Sequence, residues 1–110
     1  MTKVYEAVEQ TFQTRAGMEA EMEGWDPHWI GKTRVFQYCE DESHGVGTVA
    51  KMEFTDFGPH DSPDGEGDSF QPCEALIEVY FYVERENGEK TEDGDDLWMV
   101  NAGTWYVLSA

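Results

Sequence analysis

The sequence predicts an α+β fold, with an N-terminal helix packed on an antiparallel sheet of four or five strands. Three observations carry this. Helical spacing is confined to the first two dozen residues, period-two alternation recurs in segments after Thr33, and clusters of Gly, Pro, Asp and Asn separate those segments. In residues 3–23, Val4, Val8, Thr11, Phe12 and Arg15 recur at helical spacing, Ala7, Ala16 and Ala20 favour helix, and Thr2 is placed to cap it. The β-branched residues among them also permit a strand over residues 3–16, because Val4, Val8 and Phe12 share parity as well. Met18 and Met22 lead into residues 24–29, where Gly24 and Pro27 are expected to end regular structure and Trp25 and Trp29 to pin a loop to the core.

From Thr33 to Glu40, Phe36 and Tyr38 fall on one face, and from Thr48 to Phe57 so do Ala50, Met52 and Phe54. The two segments read as a hairpin joined by a polar, glycine-bearing connection over residues 41–47. Residues 58–72 hold three of the four prolines, three glycines and four acids, and read as a long exposed loop. The clearest strand follows: Ile77, Val79, Phe81 and Val83 alternate with Glu78, Tyr80, Tyr82 and Glu84. Leu97–Val100 and Thr104–Leu108 flank Asn101-Ala102-Gly103, which reads as a hairpin turn with its glycine at the left-handed position.

The chain has 110 residues, so it makes one small domain, and 39% hydrophobic content with 14% aromatic residues is enough for a core. No apolar run approaches the length of a membrane span, and the polar, acidic start MTKVYEAVEQ is unlike a signal or transit peptide, so the cytoplasm of a host cell is the expected location.

Charge is the strongest signal. Asp and Glu number 24 against 7 Lys and Arg, a formal net charge of −17, and the second half of the chain holds most of the excess. The acids cluster in expected turns: Glu40, Asp41 and Glu42; Asp61, Asp64, Glu66 and Asp68; and Glu84, Glu86, Glu89, Glu92, Asp93, Asp95 and Asp96. Such a surface repels DNA, RNA and anionic lipid, which leaves basic partners. A duplex about 35 Å long carries roughly 20 phosphate charges, of the same order as this protein's own excess. On the 77–84 strand, Tyr80 and Tyr82 beside Glu78 and Glu84 offer aromatic and acidic groups together, a mixture suited either to Arg from a partner or to ordinary packing under the helix. Trp98, Trp105 and Tyr106 face the same choice between core and contact surface.

Other chemistry finds little support. Cys39, His44, His60 and Cys73 lack the paired spacing of a zinc site, and free thiols in a reducing compartment are the simpler reading, although a Cys39–Cys73 disulfide stays open. Asp64, Glu66 and Asp68 alternate like the start of a calcium loop, but Ser69 and Ala75 stand where that loop needs Gly and Glu. There is no GxSxG, HExxH or P-loop, and His28 between Pro27 and Trp29 reads as a structural loop histidine. No metal, cofactor or catalytic residue is expected.

In size, charge and acid-aromatic mixture, these residues resemble the small acidic DNA-mimic proteins of phages and mobile elements, which include anti-restriction and anti-CRISPR inhibitors. The resemblance is to a class that shares no single fold and no diagnostic motif. It implies non-enzymatic inhibition, in which carboxylates occupy the Lys/Arg-lined channel of a nucleic-acid-binding complex and gain affinity from steering and counterion release. Two alternatives stay open: a salt-adapted surface, and a small-molecule-binding or enzymatic domain with a pocket lined by Trp25, Trp29, Trp98 or Trp105. A homodimer that lengthens the charged face is compatible with the first reading.

Overall fold

A computed structural model describes residues 3–62 and 71–109 and has eight elements in chain order: β1 (Val8–Thr14), α1 (Arg15–Trp29), β2 (Thr33–Gln37), β3 (His44–Asp56), β4 (His60–Ser62), β5 (Gln71–Cys73), β6 (Ala75–Arg85) and β7 (Leu97–Ser109). Five strands form one sheet in the order β1-β7-β6-β3-β2, and β4 pairs with β5 in a separate ribbon. The class is α+β with one helix, as expected. The sheet, however, is mixed: β1 runs parallel to β7, while the other neighbouring pairs are antiparallel.

Residues 8–14, expected to open the helix, form a strand instead. Without them the β7 edge from Gly103 to Ser109 would be an unpaired row of peptide groups, and β1 fills it with Val8 opposite Gly103 and Phe12 opposite Val107. The β-branched side chains that permitted this alternative prevail because tertiary hydrogen bonds override a weak helix preference. The helix begins one residue after Thr14, which is extended (φ −135°, ψ 158°) and accepts the Gly17 N–H on its hydroxyl at 3.1 Å.

At its other end the helix continues through Gly24 and Pro27, where a loop was expected. Met18, Met22, Trp25 and Trp29 lie at i, i+4, i+7 and i+11, one continuous stripe, and both Trp are buried against the sheet. A proline inside a helix costs about 3 kcal/mol. Burying two indoles removes roughly 400 Å² from water, worth about 10 kcal/mol, so packing wins.

β7 is one strand of 13 residues, and Asn101-Ala102-Gly103 is not a turn. Val79 lies opposite Gly103 and Tyr80 opposite Asn101, so Ala102 is the extra residue of a β-bulge. Gly103 is required for a different reason from the one the sequence suggested: a Cβ there would sit 2.3 Å from the Val8 carbonyl oxygen of β1. A second bulge at Ala50 of β3 exposes that alanine while Val49 is buried and Met52 and Phe54 pack against the core.

The sheet curls until its edges approach. The Tyr5 N–H bonds the Val35 carbonyl of β2 at 2.8 Å, and the Cys39 N–H bonds the Met99 carbonyl of β7 at 2.9 Å. Inside the curl, Phe81 is ringed by Tyr5, Trp29 and Phe36 at 5.3, 5.0 and 5.9 Å, with Trp25 stacked beyond. Ile77, Val79, Phe81 and Val83 are all 2% exposed or less, as their alternation predicts. Among the described residues, no helix is long and apolar enough to cross a membrane.

Candidate acidic interface

The segment that carries most of the late acids, between β6 and β7, is held by its own hydrogen bonds. The Thr91 N–H bonds the Asp95 carbonyl, the Gly94 N–H bonds the Thr91 carbonyl, and the Thr91 hydroxyl accepts from the Asp95 N–H at 3.0 Å. The Trp98 indole N–H donates to the Glu89 carbonyl at 2.8 Å and ties the segment to the start of β7. Lys90 forms an ion pair with Asp96.

The opposing segment, between β2 and β3, carries Glu40 and Asp41. A Glu40 carboxylate oxygen accepts the Met99 N–H at 3.0 Å. Asp41 accepts from both the hydroxyl and the N–H of Ser43, at 2.7 and 3.0 Å, which holds its carboxyl below the usual carboxylate range.

Arg85, the last residue of β6, joins the two segments. Its guanidinium packs against the rings of both Tyr38 (4.6 Å) and Trp98 (4.8 Å), which touch each other edge-on at 5.4 Å, and Nη1 reaches Ser43 Oγ and Glu89 Oε2, both at 3.3 Å. The side chain is only 9% exposed. Gly45 makes room for it, since a Cβ at that position would meet Arg85 Nη2 at 2.8 Å. The Tyr38 hydroxyl donates to the Gly45 carbonyl at 3.0 Å and closes the frame.

Together the two segments enclose a cleft of about 420 Å³ lined by Glu40, Asp41, Glu89, Glu92, Asp93 and Asp95, with Lys90, Thr91 and Trp98. Lys90 is the single cation in that lining. Asp95 and Asp96 also border a neighbouring hollow with Lys51, Tyr82 and Leu97. At another part of the molecule, by contrast, Arg15 pairs with Asp56 (3.2 Å) and Glu74 (2.6 Å).

Not every predicted acid joins the cleft. Glu42, whose φ is 58°, borders a different cavity of about 690 Å³ with Lys3, Glu6 and His44. Glu84 lies on the outer sheet face opposite Thr48 and Leu97, and Glu78 is six residues, or about 20 Å, further along the same strand. Glu86 is exposed and does not line the cleft. Asp61 sits on β4 opposite Pro72, while Asp64, Glu66 and Asp68, and with them the calcium-like loop, lie outside the described residues. Sequence reading passed over the acids of α1, where Glu19, Glu21, Glu23 and Asp26 are exposed. It also passed over the Arg85 clamp, although an arginine placed among so many acids was a usable signal.

Cys39 and Cys73 do not form a disulfide, and burial pushes the Cys39 thiol up, away from nucleophilic use. Among the described residues, no group of three His, Cys, Asp or Glu side chains is placed to hold a metal ion. Trp25, Trp29, Trp98 and Trp105 are core residues, with Trp98 also bordering the cleft. No known protein family, curated protein or solved structure matches this chain.

Proposed function

We propose that this protein is a non-enzymatic acidic inhibitor that mimics nucleic acid and occupies the basic nucleic-acid-binding channel of a host defence complex, in the manner of anti-restriction or anti-CRISPR inhibitors. One observation supports it most: two acid clusters some fifty residues apart in sequence converge on one cleft and are fixed there by a buried arginine. Carboxylates held before binding keep more of their Coulomb attraction, because little ordering entropy remains to be lost. The net charge of −17 makes long-range steering toward a cationic groove strong and salt-dependent.

The test is competition. A labelled duplex of about 20 base pairs is bound to a purified basic DNA-binding complex, and the protein is added at increasing salt. Displacement that weakens steeply with salt is expected. A variant carrying Glu89→Gln, Glu92→Gln, Asp93→Asn and Asp95→Asn should compete at least about tenfold less well. Equal competition by that variant rejects the reading.

A further inference from the structure

The sequence leaves Tyr80 and Tyr82 open to packing under the helix or to a partner's Arg, but α1 covers the opposite face, where Phe81 meets Trp25 and Trp29. Tyr80 and Tyr82 therefore lie on the face that, among the described residues, no helix covers, both half-buried. On β3, Lys51 stands opposite Tyr82, Glu53 opposite Tyr80 and Thr55 opposite Glu78. The Tyr80 hydroxyl donates to Glu78 at 3.0 Å and the Tyr82 hydroxyl to Glu53 at 3.4 Å. Burial, then the adjoining carboxylates, raise both phenols, so they remain protonated donors at neutral pH.

A carboxylate fixed at the edge of an aromatic ring is a receptor for a flat cation, because the ring face attracts the charge while the oxygens take its N–H groups. The protein already uses half of this chemistry on itself: the Lys51 ammonium sits 4.7 Å from the Tyr82 ring centroid. Among the described residues no cation faces Tyr80 in the same way. The face runs on into the acidic segment through the hollow of Lys51, Tyr82, Asp95, Asp96 and Leu97. A second copy of the chain is a poor occupant, since Glu53, Glu78 and Glu84 would meet their own kind on a molecule of charge −17.

We propose that this face is an arginine-reading surface continuous with the acidic cleft, on which an arginine-bearing segment of the partner lies with a guanidinium over Tyr80, held by Glu78 and Glu53. This rests on the decoy reading and adds to it a preference of arginine over lysine, because only guanidinium is both planar and able to bond two oxygens at once.

Titration of the ¹⁵N-labelled protein with octa-arginine and octa-lysine at equal salt tests it. Octa-arginine should bind about three- to fivefold more tightly and shift the amides of Glu53, Tyr80, Tyr82 and Asn101. Tyr80→Leu with Tyr82→Leu should abolish that preference while the amides of residues 86–96 still respond, and Tyr80→Phe should keep much of it. Glu53→Gln with Glu78→Gln, at positions outside the core, should lower the preference without a change in fold. Equal affinity for the two peptides, or shifts confined to residues 86–96, overturns the arginine surface and leaves the decoy reading standing. No response to either peptide overturns both.

Discussion

The Tyr5 hydroxyl donates to the Ala102 carbonyl at 2.6 Å, linking residues 97 apart in sequence at the point where β7 bulges. A bulge breaks the ladder locally, and the tyrosine supplies a partner for that carbonyl. The same tyrosine packs on Trp29, Phe36 and Phe81, so one side chain joins the N-terminal segment, the bulge and the core.

Tyr5→Phe should therefore keep the packing, lose the hydrogen bond and destabilise the fold by about 1–3 kcal/mol in urea unfolding. Burial pushes the Tyr5 phenol up to about 12 from its ordinary 10.0. The folded state then holds its proton more tightly than the unfolded chain does. The stability this contributes is complete below pH 10 and falls as pH rises toward 12. The wild type should lose more stability across that window than Tyr5→Phe does, and equal losses would disprove the coupling.

Arg85→Met should cost about 2–3 kcal/mol, mostly from the two cation–ring contacts, since Glu89 is 52% exposed and its ion pair alone contributes little. Hydrogen exchange should accelerate at residues 40–43 and 88–98 and stay unchanged in α1. Arg85→Lys should not restore protection, because a compact ammonium cannot pack flat against the two rings while reaching Ser43 and Glu89.

Gly103→Val drives a side chain into the Val8 carbonyl and should detach β1 from β7, at a cost of about 3 kcal/mol. Faster amide exchange over residues 8–14 than over β6 would locate the damage. If the ladder instead stays protected, the close approach does not govern the pairing.

Screening of a −17 surface should raise the melting temperature by roughly 3–6 °C between low and physiological salt, read by circular dichroism. Cooperative melting is expected already in dilute buffer. A fold that forms only in molar salt would instead mark the acids as salt adaptation.

Where burial depends on local alternation, the sequence was readable. Ile77 to Val83 is a period-two run whose apolar members end 2% exposed or less, and Phe36 and Tyr38 share a buried face as their spacing requires. The choice of strand over helix for residues 8–14 was not readable, because it depends on an open β7 edge that exists only in the folded sheet. Pro27 and Gly103 misled for a related reason. Each has a local meaning, breaker or turn, that a distant contact overrules.

Composition and periods of a few residues suffice for the excess of charge, its concentration in the second half, the α+β class and the apolar face of the central strand. Tertiary structure decided which acids meet: Glu40 and Asp41 line one cleft with Glu89, Glu92, Asp93 and Asp95 because Arg85, packed on Tyr38 and Trp98, reaches both segments and Met99 and Trp98 of β7 bond to Glu40 and Glu89. It also decided that Tyr80 and Tyr82 lie on the face away from α1. Both faces of β6 carry large rings, and only the placement of α1 selects the one that is buried.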